Sequence, residues 1–178
     1  MQKITPFLWF DKNAEEAMTF YVSVFSNSPA MKASPGSPDQ KSRIVSIKRY
    51  PPGPLEGPMK GMEGKVLTAV FELAGEEFMA LDGGPYFKPT GAVSFFVECT
   101  SQEEVDYFWD KLSEGGDPQA QQCGWMQDKY GFSWQIIPNA LPEFLNDPDP
   151  EKAGRVMQAM LKMKKIIIED LKNAYDNK

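Results

Sequence analysis

The spacing of hydrophobic and polar positions changes several times along this chain, and each change marks an element. Residues 4–10 (ITPFLWF) are a short apolar, aromatic run, which predicts a buried strand. The period then becomes helical. Ala17, Phe20, Tyr21 and Val24 form one stripe, with Asn13 expected to cap the helix and Glu16 to complete a capping box. The pattern breaks at 26–29, and residues 30–41, rich in Ser, Pro, Lys and Gly, read as a loop. Residues 43–50 predict a strand. Residues 51–64 hold four prolines and four glycines, which predicts a long loop and a candidate lid. Residues 65–73 and 77–81 are β-prone runs joined through Ala74-Gly75-Glu76, a predicted hairpin.

The pattern then starts again. A strand is predicted at 92–97 and a helix at 102–113, capped by Ser101 with Glu104 as box partner and stopped by Gly115-Gly116. Short strands follow near 119–123, 124–127 and 133–137, with a turn at Lys129-Tyr130-Gly131. Phe7-Leu8-Trp9 and Phe95-Phe96-Val97 lie 88 positions apart, as do Glu15-Glu16 and Glu103-Glu104, and Phe20 and Phe108. The hairpin strands at 75–81 and 131–137 match at an offset of 56. Each copy reads β-α-β-β-β, which indicates an internal duplication. The tail is different: Asp149, Pro150 and Glu151 start a helix, and Val156, Met160, Met163, Ile167, Leu171 and Ala174 give it one apolar face about five turns long.

Composition narrows the chemistry. The 178 residues include no histidine, which excludes Ser-His-Asp and Cys-His nucleophile systems, HExxH and three-His zinc sites and the usual near-neutral base. Catalysis would fall to carboxylates, Lys, Tyr, Cys or a cofactor. The net charge of -6 argues against nucleic acid as a partner, and no apolar run of 18 residues argues for a membrane span. Residues 151–178 carry seven basic and four acidic side chains on an otherwise acidic chain, either a solvated helix face or a basic surface for docking. Two cysteines and no apolar secretory core near the start lead to the expectation of a cytoplasmic, reduced protein, a Cys99–Cys123 disulfide being the exception to it.

Four stretches carry a family resemblance: ITPFLWFDKNAEEAMTFYVSVF, VFELAGEEFMALDGGP, QQCGWMQDKYGFSWQIIP and DPDPEKAGRVMQAMLKMKK. The chain resembles the PhnB-like family, often labelled 3-demethylubiquinone-9 3-methyltransferase, within the glyoxalase/bleomycin resistance/dioxygenase group, the vicinal oxygen chelate superfamily. The resemblance spans all but about residues 30–41. It implies an α+β fold of two βαβββ modules forming a curved mixed sheet around a cavity, here with a C-terminal amphipathic helix. The expected layout is a domain at 1–148, with modules at about 1–88 and 89–148, and the helix at 149–178. It also implies a homodimer and a small-molecule ligand.

Metal-dependent members of that superfamily place His or Glu on the first and last strands of each module. Here those strands offer Thr5 and Ser94, and then Met79 and Gln135, so neither a metal nor a cofactor is expected. The methyltransferase label is not supported by the glycines: Gly83-Gly84 and Gly115-Gly116 follow a hairpin strand and a helix, and neither opens a helix after a strand. The expected ligand-binding residues are Gln135, Trp9, Ser94, Thr68, Tyr86, Trp125, Cys123 and Asp82. Tyr86 stands where close relatives carry His, and Cys123 is expected to be buried in a β-region. Asp82 is either a turn-former or a cavity carboxylate, and Glu72 and Glu98 are expected on outward strand faces. A binding protein without the usual metal site is the leading reading. The alternatives are a metal-dependent lyase, isomerase or dioxygenase using Gln135, and a partner protein that docks through its C-terminal helix.

Overall fold

The computed structural model describes residues 4–33 and 41–178, so most of the expected loop at 30–41 lies outside the described residues. The chain divides into two compact units, Met1–Pro89 and Thr90–Lys178. The first runs β1 (Phe7–Phe10), α1 (Ala14–Ser26), α2 (Pro29–Ala33), β2 (Arg43–Arg49), β3 (Val66–Leu73) and β4 (Glu76–Asp82). Its sheet has the order β1-β4-β3-β2, with β1 parallel to β4 and the other pairs antiparallel. The second unit runs β5 (Ser94–Cys99), α3 (Gln102–Ser113), β6 (Trp125–Gln127), β7 (Ser133–Pro138), α4 (Ala140–Leu145), α5 (Pro150–Met160) and α6 (Ile168–Asp176). Its sheet is β5-β7-β6, again with a parallel first pair. The fold is α+β with two mixed sheets. No helix among the described residues is long and apolar enough to cross a membrane.

Each sheet carries one helix on one face. In the first unit Ala17, Met18, Tyr21, Val24 and Phe25 of α1 are buried, as are Leu8, Phe10, Ala69, Phe71, Phe78 and Ala80 on alternate strand positions. In the second, Val105, Phe108, Trp109 and Leu112 of α3 are buried with Val97, Cys99, Met126, Trp134 and Ile136. Ser101 caps α3 as expected, its hydroxyl accepting from the Glu104 amide at 3.2 Å. The Glu104 carboxylate accepts in return from Thr100, at 2.6 Å from the amide and 2.7 Å from the hydroxyl.

The start of α1 differs from expectation. Asn13 stands at the cap position but its side chain makes no capping bond. The donor is met instead by Asp82, which is 1% exposed. One Asp82 oxygen accepts from the Ala14 amide and the other from the Val66 amide, both at 2.9 Å. The tight strand-to-helix turn puts the helix start against the end of β4, so a residue 68 positions away does the capping. A second buried carboxylate, Asp128, closes the turn between β6 and β7 in the other unit. It accepts from the amides of Tyr130 (2.8 Å) and Phe132 (3.0 Å) and from the Trp134 indole N–H (2.7 Å).

The duplication needs a correction of one residue in the strands. Phe7 pairs with Met79 and Phe96 with Gln135, so the strands superpose at an offset of 89 rather than 88. Phe7 and Phe96 are exposed, and Leu8 and Val97 buried, which agrees. The helices keep the offset of 88, because three residues join β1 to α1 and two join β5 to α3. The second unit also lacks one expected strand. Residues 119–123 form a short 3-10 turn at Pro118–Ala120 and a single bridge from Gln122 to Trp125.

The C-terminal helix is also not continuous. It divides into α5 and α6, because the backbone of 161–167 is bonded elsewhere. Leu161 O accepts from Gln122 Nε2, and Met163 O and Lys164 O accept from the amides of Cys123 and Gly124. Gln102 receives the Ile168 amide on its carbonyl and donates its amide to Ile166 O. The β-branched run Ile166-Ile167-Ile168 also favours extended backbone. The break also changes the expected apolar face: Val156 and Leu171 are buried, but Ile166 takes the place expected for Ile167, with Leu141, against Ile137 of β7.

Replacing Asp82 with Asn keeps the shape but points an amide donor at a backbone donor and removes a buried charge-assisted bond. Urea unfolding of Asp82→Asn is expected to show a loss of about 2–4 kcal/mol. A loss below about 1 kcal/mol would contradict the capping role.

Candidate functional site

Period-two alternation turns the second face of each sheet away from α1 or α3. In the second unit the open face carries Ser94, Phe96 and Glu98 from β5, Ser133, Gln135 and Ile137 from β7, and Trp125 and Gln127 from β6. The three elements line up in rows. Phe96, Gln135 and Trp125 are register neighbours, so the amide of Gln135 sits between two aromatic side chains, 58% and 36% exposed. Ser94, Ser133 and Gln127 form the next row. At the other end of the face Ile137 is covered by the C-terminal cluster of Leu141, Val156, Ile166 and Leu171.

Gln135 and Ser94 are brought together: Gln135 Nε2 donates to Ser94 Oγ at 2.8 Å. The Gln135 carbonyl oxygen has no hydrogen-bond partner among the described residues. It is not among the buried unpartnered polar atoms either, where Asn139 Oδ1 stands alone. It is therefore an acceptor that solvent can reach.

The first unit has a corresponding open face holding Phe7 and Trp9 of β1, Met79 and Leu81 of β4, and Thr68 and Val70 of β3. Trp9 donates its indole N–H to Gly84 O at 2.8 Å and meets the Phe87 ring edge-on at 4.9 Å. A Cβ on Gly83 would lie 2.2 Å from the Trp9 ring, so that position has to be glycine for the indole to lie there. Tyr86, in the same turn, is exposed.

Two expected site residues lie elsewhere. Asp82 faces α1, on the side of the sheet opposite Trp9, and both its oxygens hold backbone amides, so it is no open-face carboxylate. It lies at the base of a charged cleft of about 470 Å³ lined by Lys12, Glu15, Arg49, Glu63 and Lys65. In that cleft the Glu15–Arg49 ion pair spans 2.9 Å and holds the Glu15 carboxyl below its ordinary range. Cys123 is not buried in a strand. It has φ +52° and with Gly124, φ +83°, forms the two-residue turn between Gln122 and Trp125. Left-handed backbone at both positions is what such a turn demands. Gly124 has no room for a side chain, since a Cβ there would meet Ile137 at 2.6 Å. Phe96 was missed as a site residue because the run Phe95-Phe96 shows no alternation; only the pairing with Gln135 tells the two apart.

A divalent metal is a poor match for this face. Glu98 is the one carboxylate on it, beside neutral Gln and Ser, whereas hard cations take six or more oxygen donors. Among the described residues no three His, Cys, Asp or Glu side chains converge on a metal-sized site.

The family described as 3-demethylubiquinone-9 3-methyltransferase matches residues 2–137. A Bacillus cereus structure described as a putative 3-demethylubiquinone-9 3-methyltransferase, PhnB protein, is 39% identical. The match covers 77% of this chain and 99% of that one, with a TM-score of 0.60. Protein PA1353 from Pseudomonas aeruginosa is 20% identical over 78% of this chain and 98% of its own, with a TM-score of 0.55, a likeness of fold. No curated protein matches.

Both cysteines are free thiols. Burial, with the Glu104 and Glu98 carboxylates nearby, pushes the Cys99 thiol up to about 12. Cys123 is half-exposed. A disulfide reagent at pH 8 is therefore expected to titrate one thiol promptly and the second only on unfolding. Two prompt thiols would contradict this placement of Cys99.

Proposed function

This chain belongs to the 3-demethylubiquinone-9 3-methyltransferase family, and from that premise we propose that it binds a small, largely aromatic molecule on the open face of its β5-β7-β6 sheet. One observation carries the reading. A polar pair, Gln135 and Ser94, lies on a sheet face between two exposed aromatic side chains, with an acceptor oxygen left for a ligand. Apolar walls with a few placed polar groups are the usual make-up of a small-molecule site. Trp9 and Thr68 are contact candidates for the open face of the first unit's own sheet, with Tyr86 in the turn that follows it, and Cys123 lies in the turn before β6.

Methyl transfer, which the family's name carries, has less support. A doubly wound methyltransferase needs a glycine-rich turn between a parallel strand and its helix. The turns from β1 to α1, β5 to α3 and β7 to α4 are Asp11-Lys12-Asn13, Thr100-Ser101 and Asn139, without glycine. No step through a metal is part of the reading. It includes a cytoplasmic homodimer, supported by the free thiols and by the exposed Phe7, Phe87, Val93 and Phe96. Light scattering at the mass of one 20.0 kDa chain would remove the dimer from it.

The test is a ligand-observed NMR screen of aromatic fragments against the intact chain. Hits are expected, and Gln135→Leu is expected to weaken them about tenfold, as the loss of a ligand hydrogen bond does. A screen without hits, or hits indifferent to Gln135→Leu, would overturn the site.

A further inference from the structure

The open face of the second sheet has a sign as well as a shape. None of β5, β6 or β7 contains Lys or Arg. Glu98 is exposed, shares the face with Phe96 and lies two residues along the same strand, about 7 Å away by strand geometry. The amide of Gln135 gives one of its two N–H bonds to Ser94, so it offers a carbonyl oxygen and a second N–H. The face therefore presents a carboxylate, a carbonyl acceptor and two ring faces, with neutral N–H and O–H donors from Gln135 and Ser94 beside them. An anion would meet no cation on the strands themselves. A cation would find ring quadrupoles on either side, an oxygen for its N–H and a carboxylate within reach.

Resting on the binding reading above, we infer that the ligand of this face is an aromatic cation bearing N–H donors, of the arylalkylamine class. Its ring packs with Phe96 and Trp125. Its ammonium lies between the Gln135 oxygen and Glu98. The site rejects aromatic carboxylates of the same size. Discrimination comes mainly from Glu98, because the aromatic and amide contacts are open to neutral rings as well.

Three matched probes test this by calorimetry on the full chain: tryptamine, 3-methylindole and indole-3-acetate, at pH 7 and about 0.1 M salt. Tryptamine is expected to bind about tenfold tighter than indole-3-acetate, with 3-methylindole between them. In Glu98→Gln that gap is expected to shrink by about threefold or more. The acidic chain as a whole also attracts cations, so Glu114→Gln, at the far end of α3, is the control and is expected to keep the gap. Equal affinities, a preference for indole-3-acetate, or a gap that Glu98→Gln leaves intact would overturn the charge selectivity while leaving the binding reading in place. No binding of any probe would overturn both.

Discussion

Each sheet in this protein packs one helix, α1 or α3, along one face, and strand alternation decides the rest. The positions that meet the helix, such as Leu8, Ala80, Val97 and Ile136, bury their side chains within their own unit. The intervening positions do not meet that helix and, apart from Ile137 beneath the C-terminal cluster, they set what each unit shows to its surroundings. A slip of one residue would exchange the two sets. The placement of Gln135, Phe96 and Trp125 on one open row is thus a consequence of register. Whatever fixes register also fixes the site.

Two buried carboxylates contribute to that fixing. Asp82 ties the first residue of α1 to the first residue of β3, and so sets the helix against the strand ends. Asp128 closes the turn into β7 and holds the Trp134 indole on the helix side. Because successive residues point to opposite faces, Trp134 held inward leaves Gln135 outward. Both carboxylates have N–H donors on each oxygen, the condition under which a buried charge is tolerable. The C-terminal segment adds a wall. By bonding its backbone to Gln102, Gln122, Cys123 and Gly124, residues 161–168 bring Ile166 over the Ile137 end of the open face and leave the Gln135 row uncovered by that cluster.

Local signals in the sequence were legible and long-range ones were not. The bounds and cap of α3 follow from Ser101, Glu104 and an apolar stripe within one short stretch. The cap of α1 does not, because its acceptor is 68 residues away. The repeat was visible, but Phe95 and Phe96 are chemically alike, and their roles separate only once β5 is paired with β7. Cys123 occupies a left-handed position usually marked by Asn or Asp, so the turn went unread. Helical spacing of apolar residues continues through 161–167, and nothing in that spacing reveals that the backbone there bonds to another part of the unit. The short helix α4, six residues with an internal proline, has no periodicity long enough to read. Of the candidate site, Gln135 and Ser94 could be named from the strand positions that the family resemblance singles out, and Trp125 as a candidate aromatic wall, whereas Phe96 and the sign of the face needed the register.

In the proposed reading, ligands meet the Gln135 row. Indole N–H resonances report on it directly, because the tryptophans sit in different surroundings. Trp125 lies on the open face, whereas Trp134 is buried with its N–H on Asp128. In a ¹⁵N–¹H correlation titration with tryptamine, the Trp125 indole and the Gln135 side-chain amide are expected to shift together and saturably, with Trp134 unmoved. Saturable shifts elsewhere, with Trp125 and Gln135 unchanged, would contradict the account.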